Sequence, residues 1–285
     1  MRSETCHISL CVFVVLTLLT SSITYADDIY VSSYGGKKIA KFDSSGNMSI
    51  FASGLNGSSG LAFDKSGHLY AADSKVGAIY KFDSAGNATM FASGLNYPQG
   101  IAFDSSGNLY VANKHGGTIE KFDSSGNQST FASNLYNPIG LAFDGSGNLY
   151  TGDSINVIYK FDSSGNRAVF ANTNDRYHGL AFDGGGNLYA ANYFGGTIDK
   201  FNSRGHMIAS FYGGYTPLGL AFDNSGYLYA SNEFDAKIYK FDSSGSGNLF
   251  ATVNSPTFIA TIEPIPEPAT LLLLGLGAAV AARKR

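Results

Sequence analysis

The sequence predicts an all-β protein. The expected architecture is a six-bladed β-propeller of four-stranded antiparallel blades, closed by pairing of the N- and C-terminal strands, with a short C-terminal hydrophobic helix. Three observations carry this. A GLAF-like start recurs at Gly60, Gly100, Gly140, Gly179 and Gly219, spaced 40, 40, 39 and 40 residues apart. A KFD or KFN piece recurs at Lys41, Lys81, Lys121, Lys160, Lys200 and Lys240, and a fixed period of this size marks stacked or radial copies of one supersecondary unit. Each copy also holds four short runs of alternating apolar residues, the composition of a propeller blade.

The domain order is an export signal at 1–26, the propeller at 27–262 and a sorting tail at 263–285. Ile8–Leu19 forms the apolar part of the signal. Thr24 and Ala26 place small residues at the third and last positions before a cleavage site after Ala26. Arg2 is offset by Glu4, so an uncleaved anchor is the alternative reading. Both cysteines, Cys6 and Cys11, fall in this segment. The processed chain then has no disulfide, and its stability must come from packed sheet. A formal net charge of −3 carries no basic surplus, which argues against a nucleic-acid partner.

One copy shows the unit. Gly100–Asp104, Asn108–Asn113, Thr118–Asp123 and Gln128–Ala132 alternate apolar and polar residues, as strands do. Asp104-Ser-Ser-Gly-Asn108 and Asp123-Ser-Ser-Gly-Asn127 join them in pairs. Asp bonds the backbone two residues on and Gly supplies positive φ, so both read as hairpin turns. A calcium loop would need acids or amides at alternating positions and a later bidentate Glu, and these turns lack that pattern. The recurring G-[LI]-A-F-D-x-x-G-x-L-Y-x-A-[DN] followed by I-x-K-F-D resembles the NHL-repeat propellers over roughly Asp28 to Ile262.

The chain enters in mid-blade. Asp28–Ser33 matches a second strand with no first strand before it, and Phe258–Ile262 aligns with the missing first strand, Phe258 standing in place of glycine. Pairing the two ends closes six blades and removes free sheet edges; an open solenoid is the alternative.

Alternating strand direction puts the DxxG hairpins on one monotonous face. The strand-two-to-three loops and the inter-blade connections fall on the other, where the copies diverge. Rigidly held variable loops are where sites usually sit. Aromatic, Arg and His residues gather there, and His115, Arg176, Tyr177, His178, Tyr193, Phe194 and Phe234 are the candidate binding residues. The second strands end in Ser33, Asp73, Asn113, Asp153, Asn192 and Asn232, a polar ring expected to bond loop backbone.

At the fold level the chain also resembles gluconolactonase-type hydrolases, which hold a divalent metal over the axis with Glu, Asp and Asn side chains. Against that reading, the strand-one openings toward the axis are Ser59, Gln99, Ile139, His178, Leu218 and Thr257, poor in carboxylates for a hard cation. Glu120 lies mid-strand, Glu233 in an outer loop and Glu263 after the fold. His115 and His178 share the variable face but lie in different blades, too few for a catalytic zinc. The chain contains no HExxH and no GxSxG. The expectation is a non-catalytic protein without cofactor that binds a glycan or a protein in the cell envelope or extracellular matrix. A lactonase-like hydrolase and a purely structural matrix protein are the alternatives.

The tail reads Pro266-Glu267-Pro268, an apolar run from Ala269 to Ala282, then Arg283-Lys284-Arg285. It resembles the PEP-CTERM sorting signal of Gram-negative bacteria. That resemblance implies an exosortase as processing partner and delivery to the cell surface or medium after Sec export. Fourteen helical residues span about 21 Å against a hydrocarbon core of roughly 30 Å. That length suits transient inner-membrane association, with the terminal cations cytoplasmic.

Overall fold

A computed structural model describes residues 28–173 and 175–262. The export signal with its cleavage after Ala26 lies outside the described residues. So do the tail helix and the sorting residues Pro266, Glu267, Pro268, Arg283, Lys284 and Arg285.

The described chain forms twenty-four strands in six four-stranded antiparallel sheets. The first sheet joins both ends of the domain: β1 (Ile29–Ser33), β2 (Lys38–Phe42) and β3 (Met48–Ser53) are completed by β24 (Pro256–Thr261) as the inner strand. The next two blades follow as β4 (Ser58–Phe63), β5 (Leu69–Asp73), β6 (Ala78–Phe82), β7 (Ala88–Ala92) and β8 (Pro98–Phe103), β9 (Leu109–Asn113), β10 (Thr118–Phe122), β11 (Gln128–Ala132). The fourth is β12 (Leu141–Phe143), β13 (Leu149–Gly152), β14 (Val157–Phe161), β15 (Arg167–Asn172), and the fifth β16 (Tyr177–Phe182), β17 (Leu188–Asn192), β18 (Thr197–Phe201), β19 (Met207–Tyr212). The last is β20 (Pro217–Phe222), β21 (Leu228–Asn232), β22 (Lys237–Phe241), β23 (Gly247–Thr252). Among the described residues the helical structure is a 3-10 turn at Lys114–Gly116, and no helix is long and apolar enough to cross a membrane.

Ring closure takes the expected form with shifted bounds. β24 begins at Pro256, pairing Ile29 with Thr261, Tyr30 with Ala260 and Val31 with Ile259. Side chains reinforce the seam: the Ser32 and Thr257 hydroxyls lie 2.7 Å apart, and the Phe258 N–H donates to Ser32 Oγ at 2.9 Å.

Adjacent blades are stitched by one repeated aromatic contact. A second-strand tyrosine (Tyr30, Tyr70, Tyr110, Tyr150) meets the Phe of its own outer strand and the Phe of the next inner strand edge-on, with centroids 4.9–5.1 Å apart. Such pairs contribute about 0.5–1.5 kcal/mol beyond area burial. The KFD lysine lies over the same tyrosine, as Lys200 does over Tyr189 at 4.8 Å, and its ammonium reaches the hairpin Asp183 at 3.1 Å. The closing seam departs from this pattern. Thr261 stands where the other inner strands carry Phe, and its hydroxyl donates to the Phe222 carbonyl at 2.8 Å.

Each hairpin aspartate caps its own turn through Oδ1. Asp104 Oδ1 accepts from the Ser106 and Asn108 N–H at 2.9 Å, Asn108 Nδ2 donates to Oδ2 at 2.7 Å, and Gly107 sits at φ +83°. These aspartates are turn caps, and at Asp123 hydrogen bonds, first that from the Asn127 side chain, hold the carboxyl below its usual range.

Candidate functional site at the axial mouth

The inner strands carry a two-for-one bulge just where they approach the axis. Register shifts between Ser58 and Leu61, Pro98 and Ile101, Tyr177 and Leu180, and Pro217 and Leu220, so two inner residues oppose one on the second strand. Bulges re-aim side chains. Here they turn Ser59, Gln99, His178 and Leu218 toward the axis, and Thr257 joins them from β24. The glycine after each opening is sterically required. A Cβ on Gly100 would run into the Ile139 carbonyl of the next blade, and one on Gly140 into that of His178.

The second ring comes from the residue that follows each member of the polar ring Ser33, Asp73, Asn113, Asp153, Asn192 and Asn232: Tyr34, Ser74, Lys114, Ser154, Tyr193 and Glu233. Its backbone N–H reaches an inter-blade loop, as Tyr34 to Ser255 O and Ser74 to Gly57 O show, at 3.0 and 2.9 Å. The polar ring just below behaves as expected. Asp73 Oδ2 accepts from Asn56 N at 2.7 Å, Asn113 Oδ1 from Asn96 N at 2.6 Å and Asn232 Oδ1 from Thr216 N at 3.0 Å.

Together the two rings enclose a cavity of about 280 Å³ lined by Tyr34, Ser59, Tyr97, Gln99, Lys114, His178, Tyr193, Leu218, Glu233 and Thr257. Ile139, Leu218 and Phe258 pack together across the axis and form its floor, with Tyr193 against them. The walls are rings held in place by other rings. His178 stacks on Tyr193 at 4.5 Å and 15°, and His115 on Tyr97 at 4.5 Å and 20°. The Tyr34 and Tyr97 hydroxyls meet at 3.2 Å. Tyr97 adopts φ +60° ahead of Pro98. For a bulky residue this left-handed geometry is an outlier, and held outliers of this kind cost about 1–3 kcal/mol and cluster at functional sites.

Burial, then the nearby Lys114 and Arg176 cations, push the His178 imidazole down to about 3, so it is neutral at physiological pH. Burial raises the Glu233 carboxyl, and the Tyr193 hydroxyl beside it pulls it part of the way back.

Of the seven candidate residues, His178 and Tyr193 line the cavity. His115 stacks on its wall from outside. Phe194 packs edge-on to Tyr193, 67% exposed, and Arg176 lies over the Phe194 ring at 5.6 Å. Phe234 is 81% exposed beside Tyr215, away from the lining. Tyr177 is the correction: it is 2% exposed in the core between blades, and its hydroxyl donates to Asp199 Oδ2 at 2.6 Å. Its place on β16, one residue before the bulge, turns it inward. Glu233 is the second correction: it lies in the loop between β21 and β22, but there it lines the axial mouth. Tyr34, Tyr97 and Lys114 also went unnominated. The signal for Tyr34, Lys114 and Glu233 was their common position directly after the second strand, repeated at the period of the blades.

Residues 23–148 match the family described as SMP-30/gluconolactonase/LRE-like region. Residues 264–285 match the PEP-CTERM protein-sorting motif, which implies export, cell-envelope sorting and processing by an exosortase. No curated protein matches the chain. Among solved structures, a chain of the nidogen/laminin complex is similar at TM-score 0.74 and 20% identity, covering 82% of this chain and 97% of that one. Virginiamycin B lyase from Staphylococcus aureus follows at TM-score 0.65 and 13% identity, covering 81% and 84%. A gluconolactonase from Xanthomonas campestris is similar at 0.63 and 19%, covering 73% and 83%. At these identities the likeness establishes the propeller fold.

The divalent metal implied by the lactonase resemblance does not fit this mouth. Glu233 is the single carboxylate in the lining, and Lys114 adds a cation to the wall. Asp73, Asn113 and Asn232 turn their oxygens to loop N–H groups, and Asp153, whose buried Oδ2 has no hydrogen-bond partner, stands outside the lining. Among the described residues, no three of His, Cys, Asp and Glu gather as a metal site.

Proposed function

We propose that this is an exported, envelope-sorted propeller that binds a glycan through its axial mouth without catalysing a reaction on it. The observation that carries the reading is the cavity wall: Tyr97 and Tyr193 present rings locked by stacking on His115 and His178, Tyr34 joins them through its hydroxyl contact with Tyr97, and Gln99, Ser59, Thr257 and neutral His178 are interleaved with them. Binding sites characteristically combine an apolar, aromatic lining with a few fixed polar groups, and a sugar offers both C–H faces and hydroxyls to such a lining. The repeat resembles NHL propellers and part of it matches the gluconolactonase-like family; the reading rests on neither. Export and sorting place the ligand outside the inner membrane, in the envelope or the exopolysaccharide matrix, with the tail as a passing anchor until an exosortase acts.

A glycan array probed with the wild type, Tyr97→Ala and Tyr193→Ala tests the reading. Binding is expected for the wild type and lost in both variants; binding that persists in both overturns it. The alternative, a gluconolactonase-type hydrolase, is favoured by the family match over 23–148. Stoichiometric divalent metal together with turnover in a lactone screen would establish that alternative in place of the binding reading. For the tail, intact mass of the surface form should lack Arg283–Arg285, and replacing Glu267 and Pro268 by alanine should block delivery.

A further inference from the structure

We infer that the glycan taken by the axial mouth is acidic, a chain whose sugars carry carboxylates, with Lys114 meeting the carboxylate. The inference rests on the glycan reading above and concerns the charge of that ligand.

Most blade lysines are ion-paired: Lys41, Lys81, Lys160, Lys200 and Lys240 each reach a carboxylate within 3.6 Å, with Lys121 the exception among the described residues, and on the variable face Lys237 pairs with Asp235 at 3.3 Å. Among the described residues, Lys75, Lys114 and Arg176 form no such pair. Like the blade lysines they lie over rings, here those of the variable face: Lys75 over Tyr34 at 4.8 Å, Lys114 over Tyr97 at 5.6 Å and Arg176 over Phe194 at 5.6 Å. Lys114 is itself part of the cavity lining. Burial is the main cause of the low His178 pKa, and Lys114 and Arg176 lie near enough to that ring to lower it further. Glu233, the single carboxylate of the lining, has the Tyr193 hydroxyl beside it and a pKa raised by burial, which leaves Lys114 as the cation open to an incoming carboxylate.

The chemistry favours a carboxylate over a phosphate. The single ammonium of the lining matches the one charge of a carboxylate rather than the roughly −1.5 to −2 of a phosphate monoester, and Arg176, the nearest second cation over these rings, stands outside the lining. The remaining lining groups, Tyr34, Ser59, Tyr97, Gln99 and Thr257, are uncharged donors and acceptors that suit hydroxyls. About 280 Å³ lies at the lower edge of the ~300–1,000 Å³ of ligand pockets, which suits the end of a chain.

The test is calorimetric titration of the full chain with oligogalacturonate and with its methyl ester, the same sugar without the charge. The acid should bind at least about tenfold more tightly, the value of one charge-assisted hydrogen bond, and should weaken with added salt while the ester does not. Lys114→Met, its fold checked by thermal melting, should bring the acid to the affinity of the ester. Lys65→Met, on the hairpin face, should change neither. Equal affinity for acid and ester overturns the charge inference. If neither uronate probe binds while a neutral glycan binds and is lost in Tyr97→Ala, this inference fails and the glycan reading stands. If no glycan of either kind binds, both fail. Poly-glutamate binding as tightly as the uronate would replace the sugar by an acidic peptide and overturn the proposal.

Discussion

Removing the C-terminal strand tests whether the ring is closed by its two ends. Phe258 is 8% exposed and occupies the place that glycine holds in the other five inner strands. It plugs the axis against Ile139 and Leu218, while Ile259, also buried, packs between the first and last blades. Truncating a buried Phe to Ala costs about 3–5 kcal/mol and an Ile about 2–5 kcal/mol. Deleting Phe258–Ile262 removes both side chains and strips β1 of its inner partner. The loss of about 5–10 kcal/mol from the side chains alone rivals the ~5–15 kcal/mol that holds a domain together. The deletion should therefore abolish cooperative folding. Phe258→Ala should fold but melt lower by about 6–20 °C, at roughly 2–4 °C per kcal/mol for a domain of this size. Circular dichroism melts, with urea titrations to confirm that the unfolding slope is retained, provide the readout. A deletion variant that melts cooperatively at the wild-type temperature would refute closure by β24. A Phe258→Ala variant shifted by less than about 2 °C would refute the plug.

Two further predictions concern packing and protonation. Gly140→Ala should destabilise by about 1–3 kcal/mol, because the new Cβ meets the His178 carbonyl, whereas Gly184→Ala, with nothing within 4 Å, should be neutral; equal urea midpoints would sink the steric argument. His178 has its pKa depressed from 6.5 to about 3 by burial and by Lys114 and Arg176. Its contribution is present above 6.5 and lost as pH falls toward 3, since the unfolded chain then binds the extra proton. Glu233 runs the other way: raised above 4.5, it favours the fold at low pH and loses that contribution as pH rises through its folded pKa. Melting temperatures taken from about pH 7 to about pH 4 should therefore fall less steeply in His178→Gln and more steeply in Glu233→Gln. Slopes that move in the opposite directions would contradict the assigned environments.

Much of the architecture was legible because it repeats. A forty-residue period with two DxxG turns per copy specifies four short strands, and the first copy's missing strand points to Phe258–Ile262 as its completion. The turn chemistry was equally local: Asp104 caps Ser106 and Asn108 through bonds spanning two and four residues, so the segment contains its own explanation. The strand-one openings Ser59, Gln99, His178, Leu218 and Thr257 were also readable as axial, because they hold one position in successive copies. What tertiary structure alone decided is which way individual side chains of the variable face turn. Tyr177 and His178 are sequence neighbours of similar polarity; the inner-strand bulge sends the first into the core beside Asp199 and the second into the mouth against Tyr193. Tyr34 and Tyr97 lie 63 residues apart, and Glu233 and Tyr193 belong to different blades. Their meeting depends on the ring bringing six copies around one axis. A strand's period of two assigns faces of a sheet, but bulges break that period and closure sets neighbours across blades, so the composition of the mouth exists only in the assembled ring.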